Sequence, residues 1–176
     1  EALIPKLGNV FCIGPSFRAE KPGKKVKDKR HLTEFTLIEI EFPGNYEMLL
    51  EHIEGVISSM VKNVIKKNYA ELEYLGVETS KLQKITAPFK KLEYKKAVEL
   101  VSKKFPGFKF GDDLKHDMEL YLSSLYPDTP LFIMRYPESI KFFNMKENEK
   151  NPKVVNSADL LLPNSGEAVG AAEREN

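Results

Sequence analysis

The chain has 176 residues, 41% of them hydrophobic and 30% charged, which is enough for one domain with a sizeable core. Its formal net charge of +1 gives bulk electrostatics no leaning toward nucleic acid, so a partner of that kind would have to meet a local patch. The single Cys12 excludes an internal disulfide and suits a reducing, cytoplasmic compartment, and no apolar run has the length of a membrane span or the pattern of a signal peptide.

Glu1, not Met, opens the chain at the start of an apolar segment, so a longer parent polypeptide is expected. Residues 9–17 are rich in Val, Ile and Phe and read as a buried strand, with Pro15 marking an edge or a bulge. Lys21 to Arg30 is a charged loop punctuated by Pro22-Gly23. Residues 32–42 read as a second strand, in which alternate side chains share a face. Phe35, Leu37, Glu39 and Glu41 fall on one face; Ile38, Ile40 and Phe42 fall on the other, which is expected to be core.

Pro43-Gly44-Asn45 ends that strand, and Asn45 is placed to cap a helix over 46–67. There Leu49, Ile53, Val56, Ile57, Met60 and Val64 recur at helical spacing. Further helices are expected at about 91–104 and 113–124, with turns at Pro88 and Pro106-Gly107. Gly111-Asp112-Asp113-Leu114 reads as a helix start, since acidic residues favour that end of the dipole. His52 and His116 sit in the predicted helices without a partner at metal-ligand spacing. Extended segments return at 130–135, 139–145 and 157–163, and the chain runs on from Gly166 to Asn176. Strands, then helices, then strands imply an α+β fold: an antiparallel sheet with helices on one side.

The richest chemistry lies in Ser16-Phe17-Arg18-Ala19-Glu20 and Arg30-His31-Leu32-Thr33-Glu34-Phe35. A nucleoside triphosphate needs cations for its phosphates, a flat surface for its base and a metal held by carboxylates. Arg18 can fork two N–H groups onto a phosphate or carboxylate, and strand parity puts Glu20 on its face. His31 could donate to a terminal phosphate, and Phe35 offers a ring for stacking. Phe35 and Glu39 lie about 13 Å apart on one face, room for a base at one end and an ammonium group at the other. A solvated Arg/Glu pair beside a core Phe would leave the same pattern, so spacing by itself leaves both readings open.

The run Gly14-Pro15-Ser16-Phe17-Arg18-Ala19-Glu20 with Arg30-His31-Leu32-Thr33-Glu34-Phe35 resembles motif 2 of the class II aminoacyl-tRNA synthetases. The similarity continues through Tyr136-Pro137-Glu138-Ser139-Ile140-Lys141-Phe142-Phe143-Asn144-Met145-Lys146. It ends in Ala158-Asp159-Leu160-Leu161-Leu162-Pro163 and Gly166-Glu167-Ala168-Val169-Gly170-Ala171-Ala172-Glu173-Arg174-Glu175. The blocks follow family order over nearly the whole chain, and the asparaginyl branch of the aspartyl/asparaginyl/lysyl subgroup is the nearest likeness. That resemblance implies ATP and Mg2+ as cofactors, asparagine or aspartate as substrate, tRNA(Asn) as acceptor and a homodimer.

It also implies residue roles. Arg18 would bind the α-phosphate and the amino-acid carboxylate and carry catalysis. Glu20, Arg30, His31, Phe35 and Glu167 would contact ATP, with Phe35 stacked on adenine and His31 at the terminal phosphate. Glu1, Glu39 and Arg174 would join Arg18 around the amino acid: Glu39 on the ammonium, Arg174 on the side-chain oxygen. Glu1 would accept from an amide NH2 and repel a carboxylate, favouring asparagine. Asp159 and Glu167 would hold magnesium, a hard cation served by oxygen ligands.

On this likeness residues 1–176 are a fragment of the catalytic domain: motif 2 strands over 1–42, a mostly helical segment over 43–128 and returning strands over 129–176. Motif 1 is expected before Glu1, and motif 3, with its ATP-clamping arginine, after Asn176. The loop between Glu20 and His31 is longer than in many relatives; its Lys21, Lys24, Lys25, Lys27, Lys29 and Arg30 suit pyrophosphate, a tRNA end or simply solvent. Strand parity sets Glu167 and Arg174 on opposite faces, so a bulge is required between them, and Gly170 could supply it. The Glu173-Arg174-Glu175 run also resembles archaeal ammonia-dependent asparagine synthetases, which activate aspartate. A non-catalytic paralogue is a further alternative.

Overall fold

The computed structural model describes residues 2–19 and 32–175. The chain divides into two compact units, residues 1–44 and 45–176.

In the first unit, a short helix α1 (Ile4–Leu7) precedes two strands, β1 (Val10–Phe17) and β2 (Glu34–Glu41). They pair antiparallel in unbroken register from Val10↔Glu41 to Phe17↔Glu34. Pro15 sits opposite Thr36 in that ladder, which a ribbon made entirely of edge strands tolerates. The expected burial differs: Phe11, Ile13 and Phe17 of β1 are exposed, as are Ile38 and Ile40 of β2, and Phe42 is half-buried. A two-stranded ribbon brings no second apolar layer of its own to cover either face.

The second unit opens with α2 (Tyr46–Lys67), capped as expected: the Asn45 side chain accepts from the Met48 N–H at 3.0 Å. The face it buries is rotated from the one the spacing suggested. Tyr46, Leu50 and Glu54 are buried and Ile53, Ile57, Val61 and Ile65 half-buried, whereas Val56, Met60 and Val64 are exposed. Two short helices follow, α3 (Tyr69–Tyr74) and α4 (Thr79–Leu82).

The helix expected from about 91 begins later: residues 90–93 form strand β3 (Lys90–Glu93), and α5 (Tyr94–Val101) starts only after it. The buried Glu54 carboxylate accepts from the Phe89 N–H at 3.0 Å and lies 3.8 Å from Lys91, tying β3 to α2. Helix α6 (His116–Ser124) starts later than expected. Asp112 belongs instead to the preceding loop, where its side chain accepts from the Lys109 N–H at 2.9 Å.

Strand β4 (Leu131–Met134) leads into a 3-10 turn at Glu138–Ile140, not the extended segment expected over 139–145. A small hairpin, β5 (Glu147–Asn148) and β6 (Asn151–Val155), then precedes β7 (Ser157–Leu162) and β8 (Gly166–Ala172). The main sheet runs β3-β4-β7-β8; β3 and β4 are parallel, and the other pairs antiparallel.

Helices cover both faces of this sheet, not one. Leu131, Ile133 and Leu161 pack with Tyr94, Ala97, Val101, Met118 and Leu122 of α5 and α6. Their strand neighbours Phe132, Leu160 and Ala158 pack with Tyr46 and Leu50 of α2. Such strands are buried on both sides and read as unbroken apolar runs, as Leu131-Phe132-Ile133 and Leu160-Leu161 do.

Candidate active site

The hairpin of the first unit sorts its side chains as strand parity requires. Partners across a ladder share a face, so Phe35, Leu37, Glu39 and Glu41 stand beside Ser16, Gly14, Cys12 and Val10. The ligand-type residues of β2 thus look across a row of small residues on β1, an open shelf. Arg18 extends that face: its N–H donates to the Thr33 carbonyl at 2.9 Å, continuing the ladder. Its guanidinium carbon lies 5.8 Å from the Phe35 ring centroid, within cation–π range. Arg18, Phe35 and Glu39 therefore share one surface. Glu1, Glu20, Arg30 and His31 lie outside the described residues.

In the second unit, Asp159 is the buried acid of β7, paired with Gly170 of β8. Lys141 donates to both its oxygens, at 2.9 and 3.1 Å, and lies 4.0 Å from the centroid of the buried Tyr136 ring. Burial, and then the Asp159 carboxylate, push the Tyr136 hydroxyl well above its usual range, so it stays protonated.

The required bulge is present, but at Ala168, two residues before Gly170. Leu160 pairs with Val169 and Leu161 with Glu167, leaving Ala168 as the extra residue of β8. Past it, the alternation gives Gly170, Ala172 and, continued, Arg174 the parity of Glu167. Arg174 itself bridges Met145.

Gly170 has a different role. A Cβ built on it would lie 3.1 Å from Glu167 Oε1 and 3.9 Å from Asp159 Oδ1, so the missing side chain is the space where two carboxylates converge. Glu167 is pushed up to about 6, first by desolvation, though part of its surface stays open to water. Repulsion from Asp159 and Glu119 acts the same way, and Lys141 opposes it.

Two converging carboxylates, one with a raised proton affinity, suit a divalent cation. Among the described residues no group of three or more His, Cys, Asp or Glu gathers to hold a metal. Asp159 and Glu167 would thus fill only part of a coordination shell, as magnesium sites do when phosphates and water supply the rest.

Helix α6 backs this pair. Glu119 Oε2 accepts from the Glu167 N–H at 3.2 Å and lies 3.6 Å from His116 Nδ1. A Cβ on Gly166 would meet Glu119 Oε2 at 2.7 Å and His116 Nδ1 at 2.9 Å. Lys141, Glu119 and Gly166 carried no assigned role in the sequence. Glu119 could not have been found by spacing, because it reaches Glu167 across 48 residues.

The first unit carries its ligand-type side chains on an antiparallel hairpin, and the second carries its carboxylate pair on neighbouring antiparallel strands of a sheet flanked by helices. Residues 2–176 match the model of the family described as tRNA synthetases class II (D, K and N), and the chain belongs to that family. It is 40% identical over 176 residues to the asparagine–tRNA ligase of Pelotomaculum thermopropionicum, covering 99% of this chain and 40% of the relative. Asparaginyl-tRNA synthetase from Pyrococcus horikoshii, solved with asparaginyl-adenylate, matches with TM-score 0.91 and 34% identity over 99% of this chain and 39% of that one. The Entamoeba histolytica enzyme, also with asparaginyl-adenylate, matches with TM-score 0.86 and 28% identity over 99% and 39%. The chain thus spans about 40% of the length of the curated relatives it matches. Among the described residues no helix is long and apolar enough to cross a membrane.

Proposed function

We propose that the full-length protein activates asparagine with ATP and transfers the resulting asparaginyl group to tRNA(Asn). The observation that carries this reading is the near-complete match of the chain to asparaginyl enzymes solved with asparaginyl-adenylate. Residues 1–176 act as part of the catalytic domain of a cytoplasmic homodimer; the lone Cys12 suits that compartment.

In this reading Arg18 forks onto the α-phosphate and the asparagine carboxylate, while Phe35 stacks on adenine. Glu20 and Arg30 contact ATP, His31 meets its terminal phosphate, Glu39 binds the ammonium group, and Glu1 and Arg174 read the side-chain amide. Asp159 and Glu167 would hold magnesium, which would supply charge neutralisation for the triphosphate. The asparagine carboxylate oxygen bonds to the α-phosphorus, the bond to the bridging oxygen breaks, and pyrophosphate leaves with that electron pair. No protein nucleophile is needed; positioning and charge carry the step.

One feature favours a second reading. The Glu173-Arg174-Glu175 run resembles enzymes that activate aspartate and pass the acyl group to ammonia. ATP–pyrophosphate exchange by the full-length protein separates the readings. Exchange with asparagine supports the ligase, exchange with aspartate alone supports the second, and none with either supports a non-catalytic paralogue. Arg18→Ala is expected to abolish exchange while leaving the fold intact; near-normal exchange refutes its role.

A further inference from the structure

Glu173 is held from four sides by the same two residues. Its N–H donates to the Asn156 carbonyl at 2.9 Å, and its own carbonyl accepts from the Lys146 N–H at 2.8 Å. Its carboxylate accepts from Lys146 Nζ at 3.0 Å and from Asn156 Nδ2 at 2.8 Å. The Asn156 N–H donates to the Lys146 carbonyl at 2.8 Å, which closes the triangle.

The Asn156 carboxamide has one orientation that serves this set. Its oxygen accepts from Arg135 Nη1 at 2.6 Å and from Asn148 Nδ2 at 2.9 Å, so its NH2 must face Glu173. Arg135 is anchored in turn, its guanidinium 4.8 Å from the Tyr46 ring centroid and its backbone at φ 59°. The network lines a cleft of about 670 Å³ that also includes Glu47, Lys95 and Phe110. Tyr46 forms part of its wall, and Asp159 is not among its lining residues.

Residue 174 follows directly. Successive side chains of an extended segment point to opposite faces. Fixing Glu173 toward Asn156 and Lys146 therefore assigns Arg174 to the Asp159 face, and the Glu175 N–H, donating to the Asn144 carbonyl at 3.1 Å, secures the far side. We propose that Glu173, clamped by Lys146 and Asn156, is a positioning residue that aims Arg174 at the side chain of the amino-acid substrate and so sets selectivity for it. This rests on the proposed assignment of Arg174 to that side chain.

Glu173→Gln keeps the shape but turns an NH2 toward one of two donors, and Lys146→Met removes one arm of the clamp. The full-length protein and both variants are compared by ATP–pyrophosphate exchange with asparagine and with aspartate, alongside thermal melting. Expected are a KM for asparagine raised about tenfold, a KM for ATP within about twofold of wild type, and a reduced preference for asparagine over aspartate. Lys146→Arg restores most of the asparagine KM. An unchanged asparagine KM in both variants overturns the inference. So does a parallel loss for asparagine and ATP, which marks a merely structural clamp. A wild-type protein without asparagine-dependent exchange overturns the proposed function and this inference together, whereas wild-type exchange with unaffected variants overturns only the inference.

Discussion

Lys141 sits 2.9 Å from the buried Asp159 carboxylate and donates to both of its oxygens. The ammonium serves as the standing counter-ion of that acid. Lys141→Met removes it and leaves Asp159 facing Glu167 with less compensation. A loss of about 2–3 kcal/mol in urea unfolding is expected in metal-free buffer. Millimolar Mg2+ should recover more stability in the variant than in wild type, because binding to the folded state raises its stability by mass action. Equal Mg2+ increments in both proteins would count against Asp159 as a ligand.

Glu167 gives a pH signature. Its folded-state value of about 6 lies above the ordinary 4.5, so the folded protein holds that proton more tightly than the unfolded chain does. The resulting stabilisation is fully present below about 4.5 and is lost as pH rises through about 6. With EDTA present, Glu167→Gln should flatten this segment of the stability profile and gain about 0.5–1 kcal/mol at pH 7 to 8, a figure reduced for solvent screening. The same variant should lose Mg2+-dependent exchange. A profile identical to wild type between those pH values would refute the strained pair.

The two glycines of β8 should respond differently to alanine. At Gly170 the added Cβ meets Glu167 Oε1 at 3.1 Å, the end of a side chain that can rotate away. Stability should change little while exchange falls about tenfold or more, since small misplacements at a reacting centre are costly. At Gly166, φ is +81° and the Cβ meets Glu119 and His116 inside 3.0 Å. There the fold itself should suffer, by about 2 kcal/mol, from backbone strain and displaced packing. Melting curves and exchange rates on the two variants should diverge in opposite senses.

What the sequence made legible follows from the range of the forces involved. The Asn45 cap and the span of α2 are local matters of propensity and periodicity, and both came out as read. The buried face of α2 did not, because Val56, Met60 and Val64 are as apolar as Ile53 and Ile57, and only the sheet decides which stripe it covers. Lys90-Lys91-Leu92-Glu93 carries no strand pattern; pairing with Leu131-Phe132-Ile133-Met134, the first three of them buried, makes it one. At the site, parity predicted that Glu167 and Arg174 needed a bulge, yet nothing local distinguished Ala168 from Gly170 as its place. The Glu119 and Lys141 contacts are products of tertiary packing and leave no spacing to read.

Phe35 and Arg18 offer the sharpest test of the hairpin. They lie on one face, 5.8 Å from guanidinium carbon to ring centroid, with only small residues opposite. Phe35→Leu keeps apolar bulk but removes the flat surface on which a base stacks. Stacking is worth about 1–3 kcal/mol per base, so the KM for ATP should rise about tenfold or more. The KM for asparagine should stay near wild type, because Glu39 lies about 13 Å further along the strand. Arg18→Lys, by contrast, keeps the charge but loses the fork that could bridge a phosphate and a carboxylate, so it should impair both substrates. Measured together in exchange assays, the two variants should split into an ATP-only defect and a shared one. Equal losses for both substrates in Phe35→Leu would mean that the ring merely props Arg18 and that adenine is held elsewhere.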